Sequence, residues 1–211
     1  TTDTRNGWAT RGFFGRINYD YDGRYLLEVN GRYDGSSRFA SDHRWGFFPS
    51  VSLGWNITRE SFMEKSLEVL SNLKLRASWG LLGNQSGAGL YTFTSIMGIQ
   101  PLGNWYFQDG RDMYINAPGV IDPFTTWEKV ESKNLGLDFG FFNNALTGTF
   151  DVFQRDTKDM LGPSADLADF FGAEAPNTNN ARMRNRGWEL SPAIPRKNRE
   201  GYSLFNRRLF S

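Results

Sequence analysis

The sequence predicts an all-β protein: an antiparallel up-and-down meander that forms part of a large outer-membrane β-barrel, with one short helix near residues 60–70. Three observations predict it. The first is a period of two. Trp45, Phe47, Pro49, Val51, Leu53, Trp55 and Ile57 alternate with residues that are mostly small or polar, Phe48 excepted. Such alternation gives a strand one apolar and one polar face. The second is length. Trp45 and Trp55 lie about 33 Å apart along an extended strand, which at a tilt of roughly 40° is a height of about 25 Å, that of the apolar band of a membrane barrel. The two tryptophans then fall at the edges of the band, where interfacial aromatics sit. The third is an asymmetry of loops: short and long connections alternate along the chain.

Composition narrows the classes. The chain has 211 residues, a net charge of +1, no cysteine and a single histidine, His43. Near-neutral charge gives no footprint for nucleic acid. A disulfide framework, a thiolate metal site and a histidine metal cluster are excluded, and no cofactor is implied. Mean hydropathy is −0.53, and no run of about 18 apolar residues exists to make a membrane helix. A barrel survives that test, because alternating strands average out as polar. The opening Thr1-Thr2-Asp3-Thr4-Arg5-Asn6 has no charged region leading into an apolar core, so it reads as the start of an internal piece or of a processed chain.

The elements follow in order. Residues 12–21 put Phe13, Gly15, Ile17, Tyr19 and Tyr21 on one face and Phe14, Arg16, Asn18 and Asp20 on the other. Asp22-Gly23 signals a two-residue turn. The return strand 24–34 sets Tyr25, Leu27, Val29 and Tyr33 against Glu28, Asn30, Arg32 and Asp34, and a loop at 35–43 leads to the strand 45–57. Pro49 within it predicts a bulge or an irregular strand. Thr58 caps a short helix over 58–71, where Phe62, Met63, Leu67 and Leu70 have rough helical spacing. Leu73, Leu75, Ala77, Trp79 and Leu81 then alternate with Lys74, Arg76, Ser78 and Gly80. After an irregular stretch at 82–126, a hairpin pairs 135–141 with 145–155 across Asn143-Asn144, residues that tolerate positive φ. A loop at 157–183 ends in a short strand at 187–190.

In a meander these connections fall alternately at two ends. The Asp22-Gly23 turn, the short helix and Asn143-Asn144 share one end, and the loops 35–43, 82–126 and 157–183 share the other. Long loops on one rim and tight turns on the opposite one are the pattern of outer-membrane barrels. Strands so few cannot close a large barrel, and open sheet edges do not face lipid, so the chain reads as a section of one. The competing class is a soluble or secreted β-sandwich that binds carbohydrate. It would bury the apolar face of 45–57, 73–81 and 135–141 against a second sheet.

Several linked motifs resemble the SusC/RagA-type TonB-dependent transporters over about residues 12–190. They are Phe14-Gly15-Arg16-Ile17-Asn18-Tyr19-Asp20-Tyr21, Arg24-Tyr25-Leu26-Leu27, and Arg32-Tyr33-Asp34-Gly35-Ser36-Ser37-Arg38-Phe39. Others are the run from Arg44 to Trp55, Leu73 to Gly80, Gly83-Asn84-Gln85 and Trp127-Glu128. Asn134 to Asp138, Asp159-Met160-Leu161 and Asn185 to Leu190 complete the series. The resemblance implies an outer-membrane barrel of about 22 strands with an N-terminal plug. It implies import of glycans or peptides, driven by TonB through the plug, with a SusD-like surface lipoprotein as a lid. Plug and TonB-binding segment would lie before Thr1, outside this chain. Residues 1–190 are then a partial transmembrane barrel. Residues 191–211 read as a divergent or truncated tail, because Pro192 and Pro195 stand where a strand should continue.

Candidate site residues divide by position. In the long loop, Trp105, Tyr106, Phe107, Asp109, Arg111, Asp112 and Tyr114 combine flat aromatic faces with fixed charges, a set suited to a sugar or a peptide, or to contact with a lid. The same residues also suit packing of the loop on itself. Glu28, Asn30, Arg32, Arg76 and Asp138 would face the lumen, as a generic wet interior or against the plug. Trp45, Trp55, Tyr25 and Tyr33 would form membrane girdles against outer-membrane lipid. No catalytic constellation is visible: His43 lies between Asp42 and Arg44 in a loop, Asp156 and Asp159 read as solvated carboxylates, and the glycine-rich 83–89 lacks the lysine of a phosphate loop.

Overall fold

The computed structural model describes residues 6–66, 69–101, 113–164, 168, 175–198 and 201–206. Its strands are β1 (Thr10–Tyr21), β2 (Tyr25–Ser36), β3 (Trp45–Asn56), β4 (Leu70–Asn84), β5 (Ile99–Pro101), β6 (Met113–Ile115), β7 (Glu128–Phe141), β8 (Leu146–Pro163), β9 (Asn177–Asn198) and β10 (Gly201–Asn206). Eight of them form one sheet in the order β1-β2-β3-β4-β7-β8-β9-β10, while β5 and β6 make a separate ribbon inside the long loop. All pairs are antiparallel.

The tight turns carry the residues their geometry requires. Asp22 and Gly23 both have positive φ, 54° and 60°, as a type I′ connection needs. Phe142, Asn143 and Asn144 turn the β7–β8 hairpin at φ of 52°, 54° and 62°. The expected helix over 58–71 is instead two 3₁₀ segments, Ile57–Arg59 and Ser61–Ser66. Neither segment buries a residue, Phe62 is exposed, and Leu70 already belongs to β4. A short unburied segment settles into 3₁₀ turns rather than a cooperative α-helix.

Strands β8 and β9 run further than their alternation shows. β8 continues to Pro163 and β9 begins at Asn177, so most of the expected loop 157–183 is sheet. Two register shifts flank Met160, and Asp159 sits beside them at φ 56°. That irregularity breaks the period of two on which the sequence reading depends. β9 also passes through Pro192, opposite Gly148 of β8, and Pro195, opposite Leu204 of β10. Pro49 causes no bulge. It pairs with Gly31 and lies one residue beyond the last β3–β4 pair, Ser50 with Gly80, where β4 no longer needs its N–H.

Register lines side chains into rows. One row runs Tyr19, Leu27, Leu53, Ala77, Leu135, Val152, Trp188, and the next Tyr21, Tyr25, Trp55, Leu75, Leu137, Phe150, Leu190. The opposite face carries Asn18, Glu28, Ser52, Ser78 and Asn134 in a single row. Among the described residues nothing covers the apolar face: Ile17 is 69% exposed, Leu53 53% and Trp188 56%. A sandwich would bury exactly these side chains under a second sheet, so the sandwich reading is not favoured. Among the described residues a compact core lies at the long-loop end, where Phe39, Phe48, Ala88 and Trp127 are buried with Leu161 against them.

Candidate functional site

Sequence-distant motifs meet in that loop-end core. The ring of Trp127, just before β7, tilts against Phe39 at 5.3 Å and meets Phe48 edge-on at 5.4 Å. Its indole N–H donates to the Arg44 carbonyl at 2.9 Å. Gly46 and Gly83 leave room for the Phe48 ring, which a Cβ at either would overlap. Glu128, also buried, accepts from the Asn84 amide at 2.7 Å and from the Leu161 N–H at 3.1 Å. Arg38 donates to the Ala88 carbonyl at 2.8 Å, and its guanidinium lies 4.8 Å from the Trp8 ring. Asn179 of β9 clasps the Thr126 backbone with both ends of its amide, at 2.9 and 3.1 Å. The connections that leave Ser36, Asn84 and Pro163 thus start from one shared platform.

The five residues expected on the inner face share one face of the sheet. Asn30 accepts from Arg16 at 2.7 Å and donates to Glu28 at 2.8 Å. Arg32 forks onto Asp34 at 3.0 and 3.1 Å. Arg76 grips Asp138 with bonds of 2.8 to 3.0 Å and reaches Asp151 at 3.2 Å. Asp151 was not singled out from sequence, since its closeness to Arg76 appears only once β4, β7 and β8 are in register. The face is a ladder of paired charges, half-exposed, with its side chains held in place by one another.

On the apolar face the aromatics form two belts. Tyr33 stacks on Trp45 at 4.9 Å with Phe13 behind at 6.3 Å. At the turn end Tyr25 stacks on Trp55 at 6.3 Å and on Tyr21 at 6.4 Å. Glu60, in the β3–β4 link, accepts from Tyr25 Oη at 2.7 Å and Trp55 Nε1 at 3.0 Å on the same oxygen. These bonds, Trp55 first, hold its carboxyl below the ordinary value. A lowered folded value adds stability above the unfolded value, about 4.3, and that stability is lost as pH falls through the lowered one. Protection of the amides over residues 57–66, corrected for the intrinsic exchange rate, should therefore fall below about pH 4, and Glu60→Gln should remove that acid-dependent step. An unchanged acid step in the variant would show that Glu60 does not cause it.

Trp105, Tyr106, Phe107, Asp109, Arg111 and Asp112 lie outside the described residues. Tyr114 pairs with Gln100 in the β5–β6 ribbon and is 42% exposed, beside exposed Ile99, Met113 and Ile115. Asp156 and Asp159 do not act as a pair: Asp156 binds Arg184, and Asp159 binds Lys129 at 3.1 Å. His43 meets the Phe124 ring edge-on at 5.8 Å. Among the described residues no group of metal-ligating side chains converges. The arrangement offers a lined wall and a loop platform.

Comparison with known proteins adds relatives. The family model "TonB dependent receptor-like, beta-barrel" matches residues 1–207. The TonB-dependent receptor SusC of Bacteroides thetaiotaomicron is 38% identical over 198 residues, covering 89% of this chain and 19% of SusC. TonB-dependent receptor P26 of Formosa agariphila is 32% identical over 197 residues, covering 90% of this chain and 19% of its own. Among solved structures, the RagAB peptide importer in its closed-closed state superposes with a TM-score of 0.76 at 29% identity, over 97% of this chain and 23% of the other. The siderophore receptor PirA from Pseudomonas aeruginosa, 14% identical, shares the fold with a TM-score of 0.57 over 89% of this chain and 31% of its own. The chain spans about a fifth of the length of the curated relatives it matches.

Proposed function

Because the chain belongs to the TonB-dependent receptor β-barrel family, we propose that it serves as a run of adjacent staves in a SusC-like outer-membrane transporter for glycans or peptides. The observation that carries this is the sheet itself. One uncovered apolar face runs between two aromatic belts, and the opposite face is a ladder of charged pairs. In a bilayer the first face suits acyl chains and the second a watery lumen. Glu28, Asn30, Arg32, Arg76 and Asp138 would line that lumen or meet a plug from elsewhere in the receptor. Tyr25, Tyr33, Trp45 and Trp55 would mark the interfaces with outer-membrane lipid.

The long loops would then stand outside the cell. The segment 103–114, with Trp105, Tyr106, Asp109, Arg111, Asp112 and Tyr114, is the candidate for contact with substrate or with a SusD-like lid lipoprotein. Import would draw its energy from TonB acting on the plug, with no bond made or broken by this segment. Relatives at this resemblance are receptors and importers rather than enzymes.

This segment has no cysteine, so an introduced one is its single labelling point. In the whole receptor, Ser52→Cys should react with a water-soluble maleimide, and Leu53→Cys should react only with a lipid-soluble one. Reversed labelling would overturn the assignment of faces. In cells, Arg111→Ala with Tyr114→Ala should cut uptake of either labelled starch oligosaccharides or labelled casein peptides by about tenfold, roughly the loss of one charge-assisted hydrogen bond. Unchanged uptake of both would remove the loop from the substrate path.

A further inference from the structure

We infer that the outer face of β7, β8 and β9 carries a binding site for a phosphorylated glycolipid of the outer leaflet, with Lys133 and Arg186 as its phosphate ligands. The inference rests on the proposed barrel orientation, which sets the apolar face toward lipid.

The rows of the apolar face change character along the sheet. One row reads Ile17, Val29, Val51, Trp79, Lys133, Gln154, Arg186. It starts among side chains suited to acyl chains and ends among cations. Barrel strands tilt, so a row that follows the hydrogen bonds climbs relative to the membrane. Between Trp79 and Lys133 this row leaves the apolar band. Toward the long loops from that point, the same face carries Lys129, Glu131, Asp156, Lys158 and Arg184.

These charges sort into two sets. Glu131 is held by Lys158 at 2.6 Å and Lys133 at 3.0 Å and accepts from the Trp79 indole at 3.0 Å. Asp156 is matched by Arg184, and Asp159 by Lys129. Lys133 shares its carboxylate with Lys158, and Arg186 makes no ion pair among the described residues. The face therefore holds more cation than its carboxylates neutralise.

Shape supports the same occupant. A groove on this face is lined by Lys133, Gln154 and Arg186 at its loop-side rim and by Leu135, Val152 and Trp188 below. Leu135 is 52% exposed and Trp188 56%. An apolar floor running down into the acyl region, with cations at the rim, fits an amphiphile with an anionic head. Guanidinium and ammonium groups are strong phosphate donors, and a site at the membrane edge strengthens them by partial desolvation. Water alone would satisfy the cations, but it would leave the floor uncovered.

The test uses the whole receptor purified in detergent with its co-purifying lipid, then exchanged against lipid A and against lipid A freed of phosphate. Native mass spectrometry counts the bound lipid. Phosphorylated lipid A should be retained in preference, and Lys133→Gln with Arg186→Gln should reduce that retention by at least about tenfold. Arg155→Gln, on the opposite face at the same level, should leave it unchanged. Equal retention of both lipids, or no loss in the double variant, overturns the site. If the loss follows Arg155→Gln instead, the assignment of faces falls with it. A fluorophore on Leu135→Cys separates the two failures. Quenching by brominated acyl chains in a receptor that shows no phosphate preference would keep the orientation and overturn the phosphate site alone.

Discussion

Replacing Trp127 by alanine is expected to unlock the long-loop end while leaving the sheet paired. The ring is 5% exposed and touches both other aromatics of the core, Phe39 and Phe48. Truncating a buried aromatic to alanine costs about 3–5 kcal/mol, and the Arg44 carbonyl loses its donor as well. The cost falls on local opening of the platform, because the ladders of β3, β4 and β7 do not pass through the indole. Amides over 36–39 and 85–88 should then lose protection by at least about 100-fold, since each 1.4 kcal/mol is a factor of ten. Exchange in the middle of β3 should barely change. Trp127→Phe keeps most of the packing and loses the indole donor, so about 1 kcal/mol is expected. Hydrogen exchange on the whole receptor measures both. Unchanged protection at 36–39 and 85–88 in Trp127→Ala would mean that the aromatic cluster does not hold the loops.

That platform was half-legible in the sequence. Arg38-Phe39, Gly83-Asn84-Gln85, Trp127-Glu128 and Asp159-Met160-Leu161 stand out as motifs, yet nothing in their spacing says that they touch. Contact between Trp127 and Phe48 depends on the order of strands and on two glycines small enough to admit a ring. Strand faces were easier to read, because a period of two is local and, Phe14 and Phe48 apart, the large apolar residues from Phe13 to Tyr21 and from Trp45 to Trp55 share one side. Strand ends were harder. The irregularity at Asp159–Met160 and the prolines of β9 break the period while the backbone ladder goes on around them. The pairing of Arg76 with both Asp138 and Asp151 was hidden for another reason: it spans three strands, and register between strands is a tertiary fact.

Val51→Arg is expected to cost about 2–4 kcal/mol in folding of the receptor into a bilayer, while Ser52→Arg costs about 0.5 kcal/mol or less. The two positions are neighbours on β3, midway between the belts of Trp45 and Trp55, and differ only in the face they occupy. Arginine at 51 would replace one member of the row Ile17, Val29, Val51, Trp79 and place a guanidinium where acyl chains surround the wall. Arginine at 52 would stand across from Glu28 and beside Ser78, among groups already charged or hydrated. Depth supplies a third arm. Arginine introduced at the belt, as in Tyr33→Arg, can reach the headgroups and should cost about 0–1 kcal/mol from its charge. Denaturant titration of the refolded receptor in vesicles reads all three as shifts in midpoint. A penalty that peaks at 51 and fades toward 33 follows membrane depth. A penalty that stays the same at both positions, and persists in detergent-free buffer, would instead place this face against protein and overturn the lipid-facing assignment.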